Sequence, residues 1–305
     1  MMTVPQTLQD NEPLQFLWKG FKTKDSDDVK CIIHHDYSIK MHCHDFYEIN
    51  LVLKGNGYHY LGGKRFEVKP GDFFVVPVGV KHGYINVNAL NVLHLLISQR
   101  FIEKNAAVLY TNEEFYSLFM LDPAMKIHYD YDMRLNVSGM DFDELYGYAE
   151  NIENRQNSDS AKSTYIVDFN ALSFILLALL CYKKQSNDPA LLDTKYTAIR
   201  SVMQYIFEHY DETISVNKLA EIAGYSRANF FRFFKKLTSM TPNDFINMYR
   251  VNVARDMLTR GEQSLTEIAL SCGFYDMAHF SHIFKKTVGT SPSKSRDGVY
   301  RKLFR

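Results

Sequence analysis

The chain predicts an α+β protein of two domains, and three observations lead there. Between Cys31 and Ile97 the sequence breaks into short β-rich runs separated by turns, the signature of a sandwich or small barrel. Between Val216 and Pro292 one helical pattern is written twice. At 305 residues the chain is also long enough to build two separate cores.

Residues 1–30 show no strong period, although Phe16, Leu17, Trp18 and Phe21 are placed to pack an edge of the domain that follows. Phe46–Leu53 reads as a strand. Tyr58–Leu61 and Arg65–Val68 flank Gly62-Gly63, a two-residue hairpin signal. Pro70-Gly71-Asp72 turns into Phe73–Val76, and Asn91–Ile97 is a further apolar strand. The pattern then becomes helical. Phe101–Tyr110 and Glu113–Phe119 read as short helices, Phe142–Glu153 as an amphipathic one, and Asn154–Ser163 as a polar connection. Tyr165–Tyr182 is apolar on almost every side, which predicts burial on two sides. One side suits the barrel; the other suits the same helix of a second subunit, or further core of the same chain. Lys183–Asp193 is a polar linker, and Tyr196–Tyr210 opens the last domain with Ile199, Met203 and Ile206 on its inner face.

The first copy of the repeat begins Val216-Asn217-Lys218-Leu219-Ala220 and passes through Gly224-Tyr225-Ser226 to Phe230, Arg232 and Phe234-Lys235-Lys236. The second begins Leu265-Thr266-Glu267-Ile268-Ala269 and passes through Gly273-Phe274 to Phe280, His282 and Phe284-Lys285-Lys286. Tyr275 stands in the second copy as an insertion. Each copy reads as helix, tight turn, helix, with the glycine where the chain reverses. In the first copy Phe230, Phe233 and Phe234 fall on the buried face. Ser264-Leu265-Thr266-Glu267 is a capping box, and Thr241-Pro242 sets an N-cap before a proline at the first helical position.

These residues resemble the AraC-type DNA-binding domain of bacterial transcription regulators, over roughly residues 195–297. The resemblance implies two helix-turn-helix units joined by a long helix, here Pro242 through Arg250, Ala254-Arg255 and Leu258. Each second helix would enter a major groove. The expected contacts from the first are Arg227, Ala228, Asn229, Phe231, Arg232, Lys235 and Lys236. Arg232 is the best single base reader, since arginine pairs bidentately with guanine; Ala228 and Phe231 suit thymine methyl groups. The second offers Met277, His279, Ser281, His282, Lys285 and Lys286, with the four lysines of both helices directed at phosphate. The sequence departs from the family pattern at His282, where arginine is usual, at Phe231, where a small polar residue is usual, and at Ser295, where an aromatic is usual. Double-stranded promoter DNA, RNA polymerase, a small-molecule effector and a homodimer are the partners this resemblance implies. An activator is favoured over a repressor, and sugar-responsive relatives favour a carbohydrate effector.

Two stretches of the β-rich region resemble the cupin family of jelly-roll barrels, apart from a missing glycine upstream of His42. His42-Cys43-His44 is followed after three residues by Glu48 and after six more by Gly55. Gly71 is followed by Pro77, Gly79, His82 and Asn86 at the family's spacings. In metal-binding cupins the three histidines and the glutamate are the ligands. His42, His44 and Glu48 share strand parity and so can face one interior. Imidazoles with a carboxylate suit a divalent transition metal. Two readings stand side by side: a divalent metal in the barrel, or a sugar-sized effector pocket that requires no cofactor. His34, His35, His59 and His94 carry no motif and read as ordinary polar residues. A metal-dependent cupin enzyme fused to a DNA-binding domain is the rival function, and no catalytic residue is assigned.

The domains expected are thus 1–140, a cupin-like sensing domain; 141–186, helices for dimerisation; 187–194, a linker; and 195–305, the DNA-binding domain. Charge supports the division. Residues 195–305 carry 17 Lys+Arg against 10 Asp+Glu; of the totals of 35 and 35 this leaves 18 against 25 upstream. A basic final third fits phosphate binding. The cysteines Cys31, Cys43, Cys181 and Cys272 form no CxxC pair, which excludes a disulfide framework or zinc finger. Met1–Pro13 lacks the pattern of a signal peptide. Ala171–Tyr182, the most apolar segment, is too short to span a bilayer, and a cytoplasmic protein is expected.

Overall fold

A computed structural model describes residues 14–21, 27–129, 131, 134–157, 161–186, 194–260 and 263–296. It divides into two compact units. One holds the described residues of 1–104 and 117–192, the other those of 105–116 and 193–305. Residues 105–116 fall inside the stretch expected for the sensing domain, yet pack with the helical unit. The linker expected at 187–194 lies outside the described residues except for Thr194, which begins a helix.

The first unit is built on strands β1 (Leu14–Phe16), β2 (Val29–His34), β3 (Ile39–His44), β4 (Tyr47–Leu61), β5 (Lys64–Val68), β6 (Asp72–Val76), β7 (His82–Ile97) and β8 (Leu135–Asn136). They form one sheet in the order β1-β3-β7-β4-β6-β8, with β2 added on β7 and β5 on β4. β4 and β7 run antiparallel along their whole length, from Tyr47 opposite Ile97 to Leu61 opposite His82. The sequence patterns suggested separate strands at Phe46–Leu53 and Tyr58–Leu61, and a start near Asn91 for the last. The structure instead bends two continuous strands. Register shifts between Val52 and Tyr58 supply the bend, with Gly55 at φ 79° and Asn86 and Ala89 at φ 53° and 46° on the facing strand. A Cβ on Gly55 would lie 2.2 Å from the Ala89 carbonyl oxygen, so glycine is required there. The Gly62-Gly63 hairpin is present, with both glycines at positive φ.

One end of this sheet is filled by Val52, Leu61, Phe66, Val68, Phe74, Val76, Tyr84, Leu90 and Val92, all buried. The chain leaves β7 into helix α1 (Gln99–Lys104), anchored by buried Asp28, which accepts hydrogen bonds from Ser98 Oγ at 2.8 Å and Arg100 Nε at 2.6 Å and pairs with Lys104. It returns after residue 116 through a π-helical turn, Ser117–Leu121, to α4 (Asp122–His128), α5 (Met140–Arg155) and α6 (Ala161–Ser186). α5 and α6 pack together and onto β2.

α6 is longer than its sequence pattern suggested. By length and composition the helix over Ser163–Gln185 is apolar enough to cross a membrane, which corrects the shorter span of Ala171–Tyr182. Its fully buried face of Ala171, Phe174, Ile175, Ala178, Leu179 and Tyr182 is that of a core helix. Its other face leaves Tyr165, Phe169 and Leu180 at 67%, 68% and 56% exposure.

The second unit opens with α2 (Ala106–Leu109) and α3 (Glu113–Tyr116), then runs α7 (Thr194–Glu208), α8 (Val216–Ile222), α9 (Arg227–Thr238), α10 (Pro242–Arg260), α11 (Leu265–Ser271) and α12 (Met277–Val288). The two helix-turn-helix units are α8–α9 and α11–α12, joined by α10 as expected. Each boundary has a local cause. Ser215 caps α8, Ser226 caps α9, Asp276 caps α12, and Ser264 with Glu267 forms the capping box of α11. Gly224 and Gly273 turn the chain at φ 70° and 73°. Phe230, Phe234, Phe280 and Phe284 are fully buried at equivalent places in the two copies. Tyr116 of α3 completes this core, its ring 5.2 Å from Phe207, 5.3 Å from Phe245 and 6.0 Å from Tyr249.

Candidate functional site

In the first unit, the interior of the bent sheet gathers histidines around one carboxylate. His42 and His44 come from β3, Glu48 and His59 from β4, and His82 and His94 from β7; all six are buried. Strand parity and register bring them in: His42 lies opposite His82 across β3 and β7, and Leu61 faces His82 across β4. The His42 and His82 rings stand 4.1 Å apart. One ligand atom from each of His42, Glu48 and His82 lies within 4.8 Å of the others. His44 is beside this group, its Nε2 3.6 Å from a Glu48 oxygen, but does not belong to the mutually close set.

The hydrogen bonds fix the imidazole tautomers. His42 Nδ1 donates to the Lys40 carbonyl at 3.0 Å and His44 Nδ1 to the Phe46 carbonyl at 2.7 Å. A carbonyl only accepts, so these nitrogens carry the protons and each Nε2 keeps its lone pair. That is the arrangement by which a metal-ligating histidine is oriented. Buried nitrogens of His44, His59, His82 and His94 have no hydrogen-bond partner among the described residues, and such atoms call for a polar occupant.

Burial lowers the pKa of His42, His44 and His82 below the ordinary imidazole value, and pushes His59 down to about 3, so the rings are neutral at pH 7. Burial by itself would raise the Glu48 carboxyl. Its histidine neighbours, His82 and His94 foremost, outweigh that and hold it well below the usual range. The interior therefore presents one anionic oxygen pair amid neutral nitrogens, a donor set that fits a divalent cation.

A cavity of about 220 Å³ opens beside this cluster. Phe16, Phe21, Tyr37 and Phe46 give it aromatic walls, and His34, His42, Glu48 and His94 give it polar groups. The cavity and the cluster therefore share His42, Glu48 and His94. Of the four residues singled out by motif, His42, Glu48 and His82 converge, and His44 stays at their margin. His59 and His94, read from the sequence as ordinary polar residues, are instead interior members. The missed signal is faint: His94 sits in Asn91–Ile97, apolar on both faces, so alternation could not say which way it points.

In the second unit, Arg227, Ala228, Asn229, Phe231, Arg232, Lys235 and Lys236 are all exposed along α9, opposite the buried phenylalanines. Asn229 accepts a hydrogen bond from Arg232 Nη2 at 2.6 Å, so the two lie on one solvent-facing strip. On α12, His279, His282, Lys285 and Lys286 are exposed, whereas Met277 and Ser281 are half-buried. The sequence did not signal the role of Arg250. From α10 it donates to the Tyr210 and Glu212 carbonyls, both at 2.6 Å, and sits over the Phe274 ring. It thereby ties the connection between α7 and α8 to the second helix-turn-helix.

Comparison with known proteins finds two family models, one toward each end of the chain. A family model described as an AraC-like ligand binding domain matches residues 31–117, and one described as a helix-turn-helix domain matches residues 219–298. The chain is 26% identical over 263 residues to the HTH-type transcriptional activator RhaS of Enterobacter sp. (strain 638), covering 84% of this chain and 87% of the relative. It is 25% identical over 258 residues to the activator of the same name from Escherichia fergusonii, with the same coverage. Among solved structures, a transcriptional regulator with an AraC-type DNA-binding domain from Chromobacterium violaceum is 25% identical, covering 34% of this chain and 92% of that one, with a TM-score of 0.32. An AraC-like ligand-binding domain followed by a helix-turn-helix domain, in a chain similar along most of its length to proteins named as transcriptional activators, makes this a DNA-binding regulator and not an enzyme.

Proposed function

We propose that the chain is a cytoplasmic, effector-responsive activator of a carbohydrate-related operon, acting as a homodimer on promoter DNA and through RNA polymerase. The observation that carries the effector class is the aromatic-walled cavity with Glu48 and imidazoles at one side. A sugar ring offers C–H faces to the aromatic walls and hydroxyls to the carboxylate and ring nitrogens. The relatives named as activators, similar along most of the chain, favour activation. The test is a thermal-shift screen of monosaccharides on the full chain. One sugar is expected to stabilise it, by about 2.7 kcal/mol at a hundredfold excess over its Kd, and Glu48→Gln is expected to lose that shift. A non-sugar ligand that gives the shift while every sugar fails would sink the carbohydrate assignment.

A second occupant is favoured by the mutual closeness of His42, Glu48 and His82. A divalent cation there would supply the positive charge that the buried Glu48 lacks, with His44 at its margin. Effector pocket and cation site are then adjacent parts of one interior.

For DNA, α9 and α12 are the two helices proposed to lie in successive major grooves, with α10 setting their separation. Arg232, Asn229, Ala228 and Phe231 are proposed to read bases, with His279, His282, Met277 and Ser281 contributing from α12. Arg227 and the lysines at 235, 236, 285 and 286 are proposed to meet phosphate. For the homodimer, the outer side of α6 offers exposed Tyr165, Phe169 and Leu180 with half-buried Leu172 and Leu176 between them, at helical spacings of three and four residues, and a second copy of the same face is its complement. Sedimentation of the full chain at tens of micromolar should show a dimer that Phe169→Glu with Leu180→Glu turns into a monomer. A wild-type monomer under those conditions removes the dimer from the proposal.

A further inference from the structure

We propose that His94 is the positioning residue of the cation site inside the bent sheet, holding the Glu48 carboxylate in place against His42 and His82. The inference rests on the cation reading above and extends it to a residue that no motif marks. His94 lies on β7, opposite Asn50 of β4. Its Nδ1 donates to Glu48 Oε1 at 3.2 Å, within hydrogen-bonding range. The other imidazoles near that carboxylate stand farther off, His44 at 3.6 Å and His82 at 3.9 Å. Glu48 projects its charge on three rotatable bonds, so a fixed partner is needed to keep it in one rotamer.

His94 is itself clamped. Tyr37 packs 4.6 Å from its ring and His34 5.1 Å, both nearly edge-on. These two rings hold the imidazole with its Nδ1–H directed at one carboxylate oxygen. Glu48 keeps its second oxygen and remaining lone pairs for a cation, and His42 Nε2 keeps its lone pair because Nδ1 is bonded to Lys40. His44, by contrast, is stacked on Phe46 with ring centroids 4.4 Å apart and its Nδ1 bonded to the Phe46 carbonyl. Its place in the motif is therefore not matched by a place in the close triad. His94 is the residue that acts on the triad through Glu48.

Titration of the full chain with Co²⁺ after chelator treatment, followed by visible absorption, tests the assignment. Wild type is expected to take up one equivalent. His94→Phe is expected to weaken binding about 10- to 100-fold, the usual effect of removing the partner that orients a ligand. His94→Asn keeps an amide donor near the place of Nδ1, and should retain the wild-type spectrum with an affinity within about threefold. A packing role alone would not make the amide restore ion affinity. His94→Phe that binds as tightly as wild type overturns the proposal and leaves the cation reading standing. Wild type that takes up no ion overturns both. If His94→Phe fails to fold, His94→Asn decides, and a loss beyond about tenfold in the folded variant overturns the proposal.

Discussion

Arg232→Ala should lower affinity for a selected promoter site by about 1–3 kcal/mol and relax the preference at one base pair. The side chain is exposed on α9 and is steered by the bond to Asn229. Guanine offers its guanidinium two acceptors in the major groove, and alanine leaves both unpaired. Lys235→Ala should behave differently, weakening binding to all sequences alike and making the salt dependence shallower by about one phosphate contact. Anisotropy titrations at fixed salt against a set of single-base variants separate the two. If Arg232→Ala binds every variant as wild type does, α9 is not the reading helix.

Acidification should destabilise the first unit strongly. His59 is buried and its pKa is pushed from 6.5 down to about 3. Below pH 6.5 the unfolded chain takes up a proton that the folded chain refuses. The stability from this group is therefore fully present above 6.5 and lost as pH falls, by about 1.4 kcal/mol per pH unit. From pH 6.5 to 5 His59 alone accounts for about 2 kcal/mol. His42, His44 and His82 shift in the same direction and add to it. The sole tryptophan, Trp18, packs on Phe46 in this unit, so its fluorescence reports on this unit alone. Urea unfolding followed by Trp18, with chelator present, should show a midpoint that drops between pH 7.5 and 5. His59→Gln should flatten that drop by about 2 kcal/mol. An unchanged slope would place the proton uptake elsewhere.

The helical unit was readable because its information is local. A repeated glycine at the turn, a capping box and phenylalanines at helical spacing each fix structure within a few residues, and Ser264-Glu267, Gly273 and Phe280 stand where their pattern put them. The β-rich unit was readable only where motif spacing spoke. His42, Glu48 and His82 could be named because they fall on a known pattern, whereas His59 and His94 turn inward through the register of bent strands, which no short window contains. The same limit hid the length of β4 and β7, since Gly55 and Ala89 look like breaks in a sequence and act as bends in a sheet. The helices of 105–116 were visible as helices, but their partners lie about a hundred residues downstream and nothing nearby names them.

That last placement bears on how such genes can be recombined. Joining residues 194–296 to a different sensor would move the three rings of Phe207, Phe245 and Tyr249 without the tyrosine that covers them, because Tyr116 stays behind with the donor's first half. The transplanted head would carry a bare aromatic face, prone to self-association. A working chimera would have to bring a substitute cover from its new sensor or import 105–116 as an internal graft. The unit of inheritance for the DNA-reading half is thus a pair of segments rather than a single tail.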